Sequence, residues 1–217
     1  MFGRKKIAMV VAEFLGTGVL TLVVLGVSKS TIGIPYFIAI AAGLAVAAMT
    51  LALGSVSGAH LNPAITLGLW TTRKVKTLPT IVYIAAQLLG AFAAYWLYTY
   101  FIGQTWANTS GAFQGRVLAG EVAGTFIFSM AWAAAAYQKL SIGQAAAVIG
   151  MGLTLGIIAV AAASGGLLNP ALALGTRMWV WSTYVLGPVL GAVIGFNLYA
   201  LLFAPASGLL EGSKKKK

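Results

Sequence analysis

The chain has 217 residues, 60% of them hydrophobic and only 8% charged, and a formal net charge of +11. A soluble domain carries roughly 25% charged residues, so this composition excludes a water-facing surface and requires one that faces lipid. The basic residues sit in short loops and tails with no aromatic-basic patch. They read as topology determinants and headgroup contacts rather than as a nucleic-acid surface. Cysteine is absent, which excludes a disulfide scaffold and a thiolate metal site.

In chain order, the first apolar run is Ile7–Val27, after the basic "GRKK". At ~20 residues it is long enough to span, and no A-x-A site precedes a soluble domain, so it reads as a membrane helix and not a signal peptide. Further spans are predicted at Ile34–Leu53, Leu78–Phe101, Val117–Tyr137, Ile142–Ala163 and Trp181–Phe203. Two shorter apolar pieces remain, Asn62–Thr71 and Asn169–Met178. As helices each would be ~15 Å long, about half a bilayer, so both are predicted to dip in and return.

With the N-terminus in the cytoplasm, the inside holds Arg4, Lys5, Lys6, Arg73, Lys74, Lys76, Lys139 and Lys214 to Lys217. The outside holds only Lys29, Arg116 and Arg177. This asymmetry places both termini in the cytoplasm; a plasma or inner membrane is expected.

An internal repeat divides the chain. "AEFLGT" at Ala12–Thr17 and "GEVAGT" at Gly120–Thr125 share E-x-x-G-T, and "NPAIT" at Asn62 matches "NPALA" at Asn169. The Glu-to-Asn spacing is 49 positions in one half and 48 in the other. "QLLGA" at Gln87 is echoed by "PVLGA" at Pro188. Three spans per half is odd, so the repeats 1–105 and 110–217 insert with opposite orientation, as in many transport proteins. Together they are expected to form one channel domain.

The two breaks carry the chemistry. Irregular backbone at membrane depth is tolerated only where protein buries it or it lines a wet cavity. Asn62 and Asn169 suit helix N-caps, and Pro63 and Pro170 suit the first helical position, where no N–H is missed. Each half-helix therefore aims its positive end at the midplane. The two Asn amides can donate to the oxygen of a neutral molecule, while a cation is repelled and a proton-hopping chain is interrupted.

"SGAHLNPAITLG" and "GGLLNPALALG", with E-x-x-G-T opening each half, resemble the aquaporin, or major intrinsic protein, family over nearly the whole chain. The resemblance implies an all-α membrane protein, an hourglass of six transmembrane helices plus two re-entrant half-helices in an inverted repeat. It further implies passive flux of water and small neutral solutes, glycerol among them, through one pore per subunit of a homotetramer set in membrane lipid. No cofactor and no metal are implied, and the chain has no catalytic constellation. The implied pore motifs are Asn62, Pro63, Ala64 and Asn169, Pro170, Ala171. The family's outer constriction maps onto Ala42, Ile157, Gly166 and Leu172, where Leu172 replaces the usual Arg, Ala42 an aromatic and Ile157 the His of strict water channels. Two small residues there are expected to leave room for glycerol-sized solutes, unless Ile157 and Leu172 lean inward. Arg177, five residues after Leu172, falls ~140° round a helix and reads as an interface anchor.

Glu13 and Glu121 lie inside predicted spans, and His60 is the sole histidine. The glutamates read as acceptors for the broken backbone near each Asn-Pro, and His60 as a loop-supporting, pore-bordering residue. Two alternatives stay open: a proton- or ion-coupled secondary transporter using the carboxylates as relays, and a structural membrane protein with a poorly conducting pore.

Overall fold

The computed structural model describes residues 3–109, 111–138 and 140–204. Lys139 and Lys214 to Lys217 lie outside the described residues. The elements are α1 (Arg4–Ser28), α2 (Pro35–Ser57), α3 (Pro63–Thr71), α4 (Thr77–Ile102), α5 (Gly115–Tyr137), α6 (Ile142–Val160), α7 (Pro170–Gly175) and α8 (Leu186–Leu202). A π-helical turn, Trp181–Val185, opens the last span. Six of these helices are long and apolar enough to cross a membrane, and no strand occurs among the described residues.

Local chemistry sets the helix ends. Pro35 occupies the first position of α2, and Gly58 closes that helix with φ 95, its N–H donating to Gly54 O. That left-handed backbone suits glycine, which lacks the Cβ that makes it costly. Ser141 and Gln144 form a capping box at the start of α6. The helix then ends at Val160, three residues short of the predicted Ala163, because residues 161–164 turn toward the second break. The second half-helix is shorter than predicted: α7 holds six residues and α3 nine.

Packing repeats in the two halves. Helix α1 packs on α2 and α4, and α5 packs on α6 and α8. Each half-helix crosses to the other repeat, α3 lying against α8 and α7 against α4, so the halves brace one another. Helices α2 and α6 join the repeats at a close approach, where a Cβ on Gly150 would stand 2.6 Å from Gly43 O. Apolar side chains cover the outside as well as the core: Leu44, Leu89, Leu155 and Leu201 are exposed while Leu20, Phe128 and Leu153 are buried. A helix apolar on every face is stable only in a core or in lipid. With six spanning helices, the start of α1 and the described end of α8 share one face, the N-terminal face, and residues 103–109 lie on the opposite face, where Thr109 N donates to Arg177 O.

Candidate functional site

The two Asn-Pro breaks meet in the interior. Asn62 and Asn169 have extended backbones, with φ −156 and −155. Each side-chain oxygen caps its own half-helix: Asn62 Oδ1 accepts from Ala64 N at 2.8 Å and Asn169 Oδ1 from Ala171 N at 2.9 Å. The amide nitrogens cross over. Asn62 Nδ2 donates to Leu168 O at 2.8 Å, and Asn169 Nδ2 donates to Leu61 O at 2.9 Å. An amide NH2 has two hydrogens, so this clasp uses one on each side and leaves one over. Both asparagines are buried, with a residual exposure of 2%.

The loops leading into the clasp are contorted in matching ways. Ala59 and Leu61 have φ 51 and 52, and Gly166 and Leu168 have φ 62 and 51. Left-handed backbone costs a non-glycine residue about 1–2 kcal/mol, so something must hold it. Glu13 does so in the first half. Its Oε1 accepts from Ser57 Oγ at 2.6 Å and His60 N at 3.0 Å, and its Oε2 from Leu61 N and Gln87 Nε2, both at 2.8 Å. Glu121 does so in the second half, accepting from Ser164 Oγ, from Leu167 N at 3.1 Å and from Leu168 N at 2.7 Å. Ser57 and Ser164 close each grip by accepting from Ala59 N and Gly166 N, both at 3.0 Å. Buried carboxylates with this many donors are anchored acceptors.

Only the first grip has a second side-chain donor, Gln87. Gln87 also donates to Thr66 Oγ1 at 3.0 Å, and Thr66 Oγ1 lies 3.2 Å from His60 Nδ1. Pro188 stands at the sequence position that echoes Gln87 and has no donor to offer. Sequence reasoning missed Ser57, Ser164, Thr66 and Gln87 as parts of the site. Their signal was present for the serines, each five residues before its Asn in both breaks.

On the opposite face, Ala42, Ile157 and Leu172 join one apolar cluster with Leu20 and Val24. Ala42 is 0% exposed and Leu172 1%. A Cβ on Gly166 would lie 2.9 Å from Ile157 Cγ2, so Ile157 already occupies the space that the glycine was expected to leave open. Above this level a hollow of about 320 Å³ opens, lined by Val24, Lys29, Ile38, Trp106 and Thr176, and of the four residues only Ile157 reaches it.

Arg177 is not on a helix, because α7 ends at Gly175, so the angular reasoning applied to it does not hold. It has φ 62, and its guanidinium lies over the Tyr95 ring at 5.2 Å. Both half-helices finish alike: Arg73 N donates to Trp70 O and Lys74 N to Leu69 O, as Arg177 N does to Leu174 O and Met178 N to Ala173 O. A left-handed Arg thus sits at the negative end of each half-helix, where cations are favoured. Asn108 clamps the returning chain, accepting from Trp179 N at 2.9 Å and donating to Trp179 O at 3.1 Å. Among the described residues no group of three His, Asp or Glu side chains comes together as metal ligands.

This arrangement has relatives. The family described as "Major intrinsic protein" matches residues 3–199. Aquaporin AqpM of Methanothermobacter thermautotrophicus is 34% identical over 186 residues, 76% of either chain. Aquaporin-5 of Mus musculus is 33% identical over 220 residues, covering 91% of this chain and 82% of its own. Among solved structures, the aquaglyceroporin from Plasmodium falciparum superposes with a TM-score of 0.77 at 26% identity, over 94% of this chain and 99% of its own. Two capped half-helices clasped tip to tip, six apolar spans and a match along nearly the whole length agree: the chain belongs to the major intrinsic protein family.

Proposed function

We propose that the protein is a passive channel for water and small uncharged solutes such as glycerol, with the crossed asparagine pair as its central station. The observation that carries this reading is the spare amide hydrogen on each of Asn62 and Asn169 at the meeting of two half-helix N-termini. Two donors and two positive helix ends receive an oxygen lone pair and repel a cation. A molecule held by both donors cannot also pass a proton along the file, and half-helix dipoles are a known exclusion device in aquaporin-type pores.

Ala42, Ile157, Gly166 and Leu172 are proposed to form an apolar outer constriction. No water-sized sphere touches Ala42 in this conformation, so side-chain movement of Ile157 and Leu172 admits the permeant. Without a filter Arg, charge exclusion rests on the clasp. The repeats 1–105 and 110–217 act as one channel unit, assembled as a homotetramer in a plasma or inner membrane, with the N-terminal face in the cytoplasm. Six described basic residues, Arg4, Lys5, Lys6, Arg73, Lys74 and Lys76, support that orientation, against Lys29, Arg116 and Arg177 opposite. A proton-coupled transporter is not favoured: every oxygen of Glu13 and Glu121 already accepts a hydrogen bond.

The test is stopped-flow light scattering on proteoliposomes challenged with osmotic gradients of an impermeant solute, glycerol or urea. Water and glycerol permeability above protein-free liposomes, flat across an imposed proton gradient, is expected. Permeability equal to empty liposomes, or solute uptake driven by the proton gradient, rejects the proposal.

A further inference from the structure

The outer quartet carries no charged side chain, but the hollow above it does. Among the described residues that line this hollow, Lys29 is the single charged one, and Thr109, Ser164 and Thr176 bring polar atoms beside it. At about 320 Å³ the space holds several waters, so an ion enters it hydrated. Ile157 of the quartet reaches the same hollow, which makes it the vestibule of the constriction.

Local structure holds Lys29 at this place. It caps the end of α1, its N–H donating to Leu25 O at 3.0 Å, where the negative end of a helix favours a cation. Its ammonium lies 4.6 Å from the centre of the Trp106 ring, an attraction between a cation and a ring face. Trp106 also lines the hollow and is itself pinned: Nε1 donates to Thr176 O at 3.3 Å, and the Tyr95 hydroxyl donates to Trp106 O at 3.1 Å. The Tyr95 and Trp106 rings meet edge to face with centres 5.1 Å apart, and the Arg177 guanidinium lies over Tyr95. Two cations thus flank one ring pair. No acid offsets them among the described residues, where Glu13 and Glu121 are the only acids and both are 0% exposed. Glu121 stands behind Ser164, with its charge met by Ser164 Oγ, Leu167 N and Leu168 N.

We infer that Lys29 makes the vestibule attract small anions and turn cations back before they reach the clasp. The inference rests on the channel reading above. The clasp remains the barrier inside the membrane, and Lys29 sets which ions arrive at it. One unit charge at ~4 Å, even in the full dielectric of water, changes the local concentration of a small ion about fivefold. The change is upward for an anion and downward for a cation. Water and glycerol have no net charge and are not sorted by it.

Trp106 is the reporter for the experiment. In detergent-solubilised protein its emission is the difference between a chain and the same chain carrying Trp106→Phe. Quenching by iodide is compared with quenching by caesium, each scaled to its quenching of free N-acetyltryptophanamide, at ~0.1 M salt, where the Debye length is ~10 Å. In the wild type iodide should quench more strongly than caesium. Lys29→Met should cut the iodide-to-caesium ratio about fivefold or more, and Lys29→Arg, which keeps the charge, should preserve it. A wild-type ratio near one, a ratio unchanged in Lys29→Met, or one lost equally in Lys29→Arg overturns the inference. Water and glycerol flux through Lys29→Met should equal wild type in liposomes matched for inserted protein, and a lower flux overturns charge sorting as the role of Lys29. Wild-type flux no greater than that of empty liposomes rejects the channel reading instead and leaves the quenching result standing.

Discussion

Replacing each grip glutamate by glutamine tests whether the carboxylates hold the breaks. A glutamine keeps the shape and one acceptor oxygen but presents NH2 where the second oxygen was. In Glu13→Gln, with the oxygen left toward Ser57 and His60 N, the NH2 faces two donors, Leu61 N and Gln87 Nε2. Turning the Gln87 amide over only moves the loss to Thr66. In Glu121→Gln, with the oxygen left toward Ser164 and Leu167 N, the NH2 faces one donor, Leu168 N. Hydrogen bonds to charged groups contribute about 1.5–3 kcal/mol each, so the expected losses are about 3–6 and about 1.5–3 kcal/mol. At roughly 3 °C per kcal/mol for a chain of this size, the thermal midpoint in detergent should drop by ~9–18 °C for Glu13→Gln and by ~4–9 °C for Glu121→Gln. Circular dichroism at fixed pH reads both. An Glu121→Gln midpoint as low as that of Glu13→Gln, or two unchanged midpoints, refutes the donor count as the source of the loops' stability.

Three further outcomes are expected. Leu172→Arg places a cation at the outer quartet and should lower any cation or proton leak per inserted channel, read as dissipation of a pH gradient in liposomes; an unchanged leak moves charge selection away from that level. Asn62→Asp keeps the cap on Ala64 N but loses the donor to Leu168 O and adds a negative charge at the clasp, so planar-bilayer recordings should show a cation conductance that the parent lacks. Gly43→Ala would press a methyl within 2.6 Å of Gly150 O and against Thr154; overpacking of this kind costs about 1–3 kcal/mol, visible as a lowered thermal midpoint, and a neutral result would mean that α2 and α6 separate freely.

The elements differ in how much of them the sequence reveals. Ile34–Leu53 and Leu78–Phe101 were legible because lipid demands ~20 continuous apolar residues; α4 contains the second span, and α2 contains the first except for Ile34, which is its N-cap. The length of α7 was not, since an apolar piece of ten residues carries no mark of where helix gives way to loop. Arg177 shows the consequence: its angular position was computed for a helix that had already ended. Glu13 and Glu121 were conspicuous as isolated acids in apolar runs, whereas Gln87 and Thr66 look ordinary until folding brings them beside Glu13 from 74 and 53 positions away. Asn108 opens an N-T-S run, which has the form of a glycosylation sequon, and the structure uses its side chain to hold the backbone of Trp179.

The sequence by itself determined that this chain lives in lipid, crosses it six times and breaks twice at related Asn-Pro pairs. Those properties follow from local composition and from a repeat along the chain, and need no knowledge of which segments touch. Only the tertiary structure decided that the two asparagines donate to each other's loops, that Ile157 fills the space beside Gly166, and that His60 and Trp132 adjoin. Each of these depends on residues about 70 or 100 positions apart, or on one side chain filling the space beside a glycine. Such contacts are set by packing and not by pattern.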